Sequence, residues 1–292
     1  MDAVHQPVLL QEVLELMAPG RGGALLIDGT LGEGGHSAGF LQSFPDLTVV
    51  GLDADATMIE RARRRLMEYG DRVTFANSWF DDYLGSTSLS ADRILLDLGI
   101  SMVHYRESGR GFSFAADEPL DMRLSDSLPH SAADIVNTTD ERELADLIYT
   151  YGEERLSRRF AHGIVESRPY TTTRQLSELI WRLSPPNYRH GRLHPATRTF
   201  QALRIAVNDE LGRLERAIER STRVLTAGGR LGIISFHSLE DRIVKHRFRD
   251  LAAEGQYNVI TKKPITASEA EKRENPASRS AKLRVLARSE AA

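Results

Sequence analysis

Cysteine is absent from this sequence of 292 residues. Disulfide bonds and metal sites built on thiolates are therefore excluded, and the chain is compatible with a reducing compartment. Lysine is scarce as well, because only five of the 38 basic residues are lysines and the others are arginines. The net charge of −3 excludes a protein that is strongly basic or acidic as a whole.

Long apolar runs are also missing. No stretch approaches the roughly 20 consecutive apolar residues that a membrane-spanning helix needs. Residues 1–17 carry acids but no lysine or arginine ahead of their short apolar stretch, so we expect no secretory signal here. A composition of 41% hydrophobic and 27% charged residues is typical of a folded globular protein. We therefore expect a cytoplasmic protein that has no contact with the membrane.

The charges are distributed unevenly along the chain. Residues 111–146 contain nine acids and two arginines, whereas residues 155–204 contain ten arginines and two glutamates. Segregation of this kind is typical of a surface that contacts a polyanion such as nucleic acid. A solvated helical face in an arginine-rich protein would give the same pattern, so the charges alone leave both interpretations open.

Short apolar runs alternate with helical patterns through the first hundred residues. The apolar spacing predicts helices at 36–44 and 56–69. Strands that alternate with helices predict right-handed crossovers and a parallel sheet covered on both faces. The strands are predicted at 24–28, 48–53, 72–76 and 93–98.

This alternation stops near residue 107. Residues 107–202 show mostly helical patterns interrupted by prolines. The sheet pattern then returns with a long helix that ends at Gly228-Gly229, a strand at 230–236 and an antiparallel pair at 258–262 and 283–287. We therefore expect an α/β fold: a doubly wound, mostly parallel sheet from residues 1–106 and 203–292, with residues 107–202 as an inserted helical domain.

A glycine-rich turn, DGTLGEGG at residues 28–35, follows the first predicted strand. It stands at the edge where open α/β sheets bind ligands, and its glycines allow the backbone to approach a ligand closely. Asp53 ends the second strand, where a carboxylate can accept hydrogen bonds from both ribose hydroxyls of a nucleoside. The alternative is a tight turn that holds no ligand.

Two phosphate-binding patterns do not occur in this turn. It has neither the G-x-G-x-x-G of dinucleotide sites nor the G-x-x-x-x-G-K-[ST] of phosphate loops. This favours a nucleoside cofactor without phosphate, namely S-adenosylmethionine, over the nicotinamide cofactor of an oxidoreductase. Asp97 ends the fourth predicted strand, so we expect it beside the turn and facing the reacting group. It could also serve only as a cap of the strand end.

Several strings of residues, in the same order, are similar to one known family. They are DGTLGEGGHS (28–37), LLDLGIS (95–101), RGFSF (110–114), PLDMR (119–123), YGEER (151–155), HPATRTFQALRIAVNDEL (194–211), SFHSLEDRIVK (235–245) and NPASRSAKLRVLAR (275–288). In these strings the chain resembles the bacterial RsmH family, also called MraW, whose members methylate the N4 amine of a cytosine in small-subunit ribosomal RNA. The similarity begins at residues 5–8 and continues nearly to the C-terminus.

The resemblance implies a class I methyltransferase domain that uses S-adenosylmethionine, with residues 107–202 as a substrate-recognition insertion. The implied substrate is a specific cytidine of 16S rRNA within the small ribosomal subunit, and no metal is required. A further cofactor contact is a glutamine in the family, but His104 stands at its position here, after Ser101-Met102-Val103 in place of Ser-Ser-x. The other implied cofactor contacts are Gly34, Gly35, His36, Asp53, Phe80 (near the adenine) and Asp97.

Methyl transfer depends mainly on alignment of the target amine with the methyl group, because the sulfonium of the cofactor is already a strong electrophile. The cytosine N4 must lie about 3–3.5 Å from the methyl carbon, in line with the sulfur. An acceptor for the N4 hydrogens should help this nitrogen to react, and Asp97 is the first candidate, followed by Ser101 and His237. His237 could instead have a structural role at a helix start, where we predict Ser238 as the cap.

A base in folded RNA must be exposed before it can react. Tyr105, Phe112 and Phe114 are available for stacking, although aromatics at this spacing are as often core residues. Two alternatives remain open: a methyltransferase that acts on another RNA, on DNA or on a protein, and a ribosome-assembly factor that binds RNA without catalysis. The candidates for phosphate contacts are Arg155, Arg158, Arg159, Arg198, Arg204, Arg279, Lys282 and Arg284.

Overall fold

The computed structural model describes residues 7–290, and within them seven strands form one sheet. The strand order is β3-β2-β1-β4-β5-β7-β6. Strands β1 to β5 are parallel to one another, and β7 runs antiparallel to both β5 and β6. This confirms the mostly parallel, doubly wound α/β sheet expected from the sequence. The strands are β1 Leu25–Asp28, β2 Thr48–Asp53, β3 Val73–Asn77, β4 Ala91–Asp97, β5 Leu225–Ser235, β6 Tyr257–Val259 and β7 Lys282–Arg288.

Among the described residues, helices of the first unit pack on both faces of the sheet, and a series of further helices lies between β4 and β5 in the sequence. None of them is long and apolar enough to cross a membrane. They are α1 Leu10–Leu16, α2 Gly35–Ser43, α3 Ala56–Arg65, α4 Phe80–Ser86, α5 Met102–Arg106, α6 Ala132–Thr138, α7 Glu141–Gly152, α8 Ser157–Glu166, α9 Thr173–Leu183, α10 Pro186–Arg189, α11 Thr197–Asn208, α12 Glu210–Val224, α13 Ser238–Ala253 and α14 Glu269–Glu274.

The chain divides into two compact units. The first unit contains the residues up to Gly99 and those from Leu211 onward, and the second unit is Ile100–Glu210. The sequence predicted the boundaries at 106/107 and 202/203. The second of these would cut α11, which is one continuous helix, and the first would assign α5 to the sheet-containing unit.

The core of the first unit lies on both faces of the sheet. Successive side chains of a strand point to opposite faces, so Leu26 packs in one buried cluster with Phe40 of α2, and Ile27 packs in the other with Ile218 of α12. Both faces are therefore covered. A strand buried on both faces reads as a continuous apolar run, which explains Ile94, Leu95 and Leu96 in β4.

Two local predictions are wrong at their ends. Helix α12 stops at Val224, and β5 begins at Leu225 rather than at residue 230. Gly228 and Gly229 therefore lie inside the strand, where its register against β4 shifts, and do not cap the helix. Helix α3 ends at Arg65 and is followed by a 3₁₀ turn that contains Gly70 at a φ of 54°.

The second unit is helical and has its own core. Its buried cluster includes Ile148 of α7, Phe160 of α8, Ile180 of α9 and Leu203 of α11. These helices are amphipathic, with apolar residues recurring at helical spacing towards this cluster. Six of the ten arginines noted in the sequence are exposed, namely Arg155, Arg158, Arg159, Arg174, Arg182 and Arg192.

Candidate functional site

The glycine-rich turn joins β1 to α2 in the first unit. Gly34 precedes α2 with a φ of 78°, and a Cβ at this position would lie 2.9 Å from the Leu66 Cδ1. Both the backbone angle and the close packing therefore require glycine here. Gly32 also has a positive φ of 52°, but a Cβ there would meet no atom within 4 Å. The turn is thus shaped by the conformation of its backbone and open beside Gly32.

Asp28 ties this turn to α2. Its Oδ2 accepts a hydrogen bond of 2.6 Å from the Ser37 hydroxyl, and its Oδ1 accepts one of 3.3 Å from the Thr30 amide. The Thr30 hydroxyl in turn accepts from the Asp97 amide at 2.6 Å, which joins the carboxyl ends of β1 and β4. Burial raises the pKa of Asp28 to about 6, and the nearby Asp53 charge adds to this effect.

Asp53 stands at the carboxyl end of β2, as the sequence predicts. Its Oδ2 accepts a hydrogen bond from the Gly32 amide and its Oδ1 accepts one from the Asp55 amide, both at 2.9 Å. The carboxylate is thereby held against the turn. A carboxylate has about four acceptor positions, so these two bonds are compatible with further bonds to ribose hydroxyls.

Phe80 is the first residue of α4 and is half-buried. A Cβ added to Gly29 would lie 3.0 Å from the Phe80 Cβ and 2.4 Å from the Leu96 Cδ2. Phe80 therefore packs next to the start of the turn, where any side chain at residue 29 would clash with Leu96 and Phe80.

The sequence did not indicate what holds α4 in place. Asp81 is fully buried and accepts hydrogen bonds from Arg213 at 2.6 Å and from Arg216 at 2.9 Å, both on α12. The Arg213 guanidinium also lies 4.0 Å from the centre of the Trp79 ring. These contacts fix the helix that carries Phe80. No local pattern reveals them, because the partners are more than 130 residues apart.

Asp97 ends β4 beside the turn. Its Oδ2 lies 3.6 Å from the His36 Nδ1, while its buried Oδ1 has no hydrogen-bond partner among the described residues. Burial raises the pKa of Asp97 well above its usual range, and the carboxylates of Asp28 and Glu240 raise it further. The side chain keeps 23% of its surface exposed. A buried acceptor without a partner is unusual, and it can receive a donor from a bound molecule.

His237 lies at the start of α13 and is the N-cap of this helix, which corrects the prediction that Ser238 caps it. Its Nδ1 accepts a hydrogen bond of 3.4 Å from the Glu240 amide, and its Nε2 lies 3.2 Å from the Glu240 Oε1. Glu240 is buried and accepts from the amides of Phe236 and His237. The ring is therefore part of a capping box, and the catalytic role of His237 stays a prediction.

The remaining candidates near the start of the helical unit have structural partners. Ser101 is the N-cap of α5 and accepts a hydrogen bond of 3.2 Å from the Val103 amide. His104 is buried, with its ring 5.5 Å from the ring of Phe112, which is itself a core residue. Tyr105 is exposed and accepts a hydrogen bond from Arg204.

The basic candidates of the helical unit fall into two groups. Arg204 is held by the Glu210 carboxylate through two bonds, of 2.7 and 2.9 Å, and Arg198 donates to the Glu153 carbonyl at 3.3 Å. A guanidinium has five N–H donors, so these bonds restrain both side chains and offset the charge of Arg204 without using every donor. The exposed members of the set are Arg155, Arg158 and Arg159.

The basic candidates near the C-terminus divide in the same way. Arg284 is only 6% exposed, and its Nε lies 2.7 Å from the Asp241 Oδ1. The Lys282 Nζ lies 3.0 Å from the other oxygen of the same carboxylate. Arg279 is exposed. The structure therefore favours Arg279 over Lys282 and Arg284 as a phosphate contact.

Comparison with known proteins gives close matches over the whole length. The sequence model of the MraW methylase family matches residues 2–289. The ribosomal RNA small subunit methyltransferase H of Treponema denticola is 50% identical over 307 residues, which covers 98% of each chain. The protein of the same name from Synechococcus elongatus is 51% identical over 285 residues, which covers 97% of this chain and 94% of the relative.

The solved structures that match are more distant. An rRNA methylase from Streptococcus thermophilus has a TM-score of 0.45 and 10% identity, covering 98% of this chain and 99% of its own. TrmN from Thermus thermophilus has a TM-score of 0.45 and 11% identity, covering 96% of this chain and 48% of its own.

Proposed function

This chain belongs to the MraW methylase family and is a methyltransferase, and we propose that it methylates the N4 amine of a cytidine in the 16S rRNA of the small ribosomal subunit, with S-adenosylmethionine as the methyl donor. The observation that carries the proposal is the buried, unpartnered Oδ1 of Asp97 beside the glycine-rich turn. It is an acceptor without a donor at the edge where this fold binds ligands. We infer that the reaction takes place in the cytoplasm.

The residues around the turn fit this cofactor chemically. The carboxylates of Asp28, Asp53 and Asp97 stand at the ends of three neighbouring strands. Carboxylates repel the negative phosphates of a dinucleotide. They attract a cofactor that carries a positive ammonium and a positive sulfonium. When it is bound, S-adenosylmethionine supplies a methyl group activated by the positive sulfur.

Each side chain then has a separate task. Asp53 accepts hydrogen bonds from the ribose hydroxyls, and Phe80 covers one side of the adenine. Asp97 offers its Oδ1 to an N–H donor, either the ammonium of the cofactor or the amine of the target base. His36 and the Thr30 hydroxyl hold Asp97 in place from its side chain and from its backbone amide.

The helical unit is the proposed source of RNA affinity. Its exposed Arg155, Arg158 and Arg159 are suited to phosphate contacts, which supply affinity without reading the sequence. The target cytidine must leave its stack before its amine can reach the methyl group. We propose that residues 107–202 support this step by holding the surrounding RNA.

The decisive experiment uses methyl-labelled S-adenosylmethionine and purified small ribosomal subunits. The labelled RNA is digested to nucleosides, and we expect the label in N4-methylcytidine. Large subunits and an Asp97→Asn variant serve as controls, and both should incorporate little label. Label in another nucleoside or in ribosomal protein would contradict the proposed target. Cofactor binding without any transfer would favour the RNA-binding assembly factor.

A further inference from the structure

An open groove lies on the helical unit, and none of the residues that line it is assigned a role above. It is lined by Ser177, Glu178, Trp181 and Arg182 of α9 and by His194 ahead of α11, and its volume is about 290 Å³. We call it the Trp181 groove. Small-molecule sites occupy about 300–1,000 Å³, so its size suits a single flat ring better than a larger ligand.

Stacked rings form one side of this groove. The Trp181 and His194 ring centres lie 5.3 Å apart with 19° between their planes. The His194 ring also lies 4.7 Å from that of Phe114, which packs edge-on against Phe200 at 5.0 Å. A row of rings therefore runs from the core to the surface. At its outer end Trp181 is 37% exposed, which is unusual for so large an apolar side chain.

The row is held in place by hydrogen bonds. The His194 Nδ1 accepts a bond of 3.2 Å from the Ala196 amide, so its proton is on Nε2. Burial lowers the pKa of His194, which keeps this ring neutral. Arg189 donates to the carbonyls of Ser184 and Arg182, both at 2.9 Å, and its Cζ lies 5.8 Å from the Trp181 ring centre. Such a surface loses little entropy when it binds a ring.

The groove lining holds one basic and one acidic side chain, Arg182 and Glu178, and further arginines stand near them in the sequence. Arg182 and Arg192 are exposed, and so is Arg174, which makes a long ion pair of 3.7 Å with Asp117. Glu178 is the only acid between residues 167 and 208. Its carboxylate can accept a hydrogen bond from the amino group of a base. Aromatic rings beside arginines are the usual means by which proteins hold single-stranded nucleic acid.

We propose that the Trp181 groove binds an unpaired nucleobase of the RNA substrate, at a nucleotide other than the one that is methylated. The proposal rests on RNA as the substrate, as argued above. All five residues that line the groove belong to the helical unit, whereas Asp53 and Asp97 belong to the other unit. The groove would therefore set which neighbouring nucleotide is held while the target cytidine is presented.

The test measures binding of two labelled ten-nucleotide probes to the full chain without cofactor. One probe is oligocytidylate, and the other has the same sugars and phosphates without bases. Trp181→Leu should weaken binding of oligocytidylate about 5- to 150-fold, the usual contribution of one stacked base, and leave binding of the abasic probe unchanged. Trp181→Phe should keep most of the affinity. Tyr149→Leu removes another aromatic side chain of this unit, 61% exposed, and should change neither value.

Equal binding of oligocytidylate by wild type and Trp181→Leu would overturn the proposal. An equal loss on both probes would also overturn it, because the contact would then not involve a base. If Trp181→Leu does not fold, Trp181→Gln takes its place with the same two probes, because a polar side chain suits a position that is 37% exposed. A surface for a ribosomal protein would leave oligocytidylate binding independent of Trp181. Methylation by wild type is measured separately, so RNA binding through Trp181 without methyl transfer would contradict the proposed function alone.

Discussion

The Nδ1 atom of His36 lies 3.6 Å from the Oδ2 atom of Asp97, and the Nε2 atom of the same ring lies 3.0 Å from the Val8 carbonyl oxygen. A carbonyl oxygen only accepts hydrogen bonds, so Nε2 carries a proton. Nδ1 and the carboxyl oxygen can then attract each other only if the pair holds one more proton. Burial and the carboxylates of Asp28 and Glu240 raise the pKa of Asp97 well above its usual range, whereas a cation bound at Oδ1, such as the ammonium of the cofactor, favours the ionised carboxylate.

Asp97→Asn keeps the shape of this site but replaces one acceptor by a donor. An NH₂ group directed at the cofactor ammonium or at the cytosine amine is repelled, so the single-turnover rate of methyl transfer should fall about 10²-fold or more. The melting temperature should change little. Asp71→Asn, at an exposed position of the same unit, is the control. A rate near that of wild type would show that Asp97 does not align the reacting groups, and that backbone groups around Gly99 do so instead.

Asp53→Ala should weaken binding of S-adenosylmethionine by about 1.5–3 kcal/mol, because charge-assisted hydrogen bonds to the ribose are lost. Calorimetry without RNA or metal measures this directly. Asp53 also accepts bonds from the amides of Gly32 and Asp55, so thermal unfolding must show that the variant folds. Asp46→Ala, at an exposed position, should bind like wild type. Unchanged affinity in a folded Asp53 variant would remove this residue from the site.

The buried Asp28 should make stability depend on pH. Its pKa is about 6 in the folded protein against 3.8 in the unfolded chain, so between these values the folded state binds the proton and the unfolded state does not. Stability therefore falls as the pH rises through this window. Relative to Asp28→Asn, the free energy of unfolding should decrease by about 3 kcal/mol between a pH well below 3.8 and a pH well above 6. A difference that does not vary with pH would show that folding leaves the pKa of Asp28 unchanged.

Replacing Arg155, Arg158 and Arg159 together by glutamine should weaken binding to the small subunit and leave cofactor affinity unchanged. If each contacts one phosphate, the slope of log K against log salt should become shallower by about 2–3. Replacing Arg63, Arg64 and Arg65 of α3 removes the same charge from the other unit and should have a smaller effect. An unchanged slope in the first variant would show that these three arginines are solvated and do not contact phosphates.

Much of the sheet edge at which we propose that the cofactor binds, the cofactor edge, was predictable from the sequence. The pattern TVVGLD predicts β2 with the bounds that the structure has, and it places Asp53 at the end of this strand. Asp97 and the turn at 28–35 follow from the same reasoning. The carboxyl ends of parallel strands share one edge of the sheet, so local patterns suffice to bring these residues together.

The roles of individual basic residues were decided by the tertiary structure alone. Arg279 and Arg284 are equivalent in the sequence, yet one is exposed and the other is buried against Asp241, 43 positions away. Likewise, the rings of Trp181 and His194 come together only because α9 packs beside the segment that leads into α11. The sequence by itself determined the sheet, the cofactor edge and the family. Partners distant along the chain determined which charges and rings are available, because local periodicity carries no information about contacts of that range.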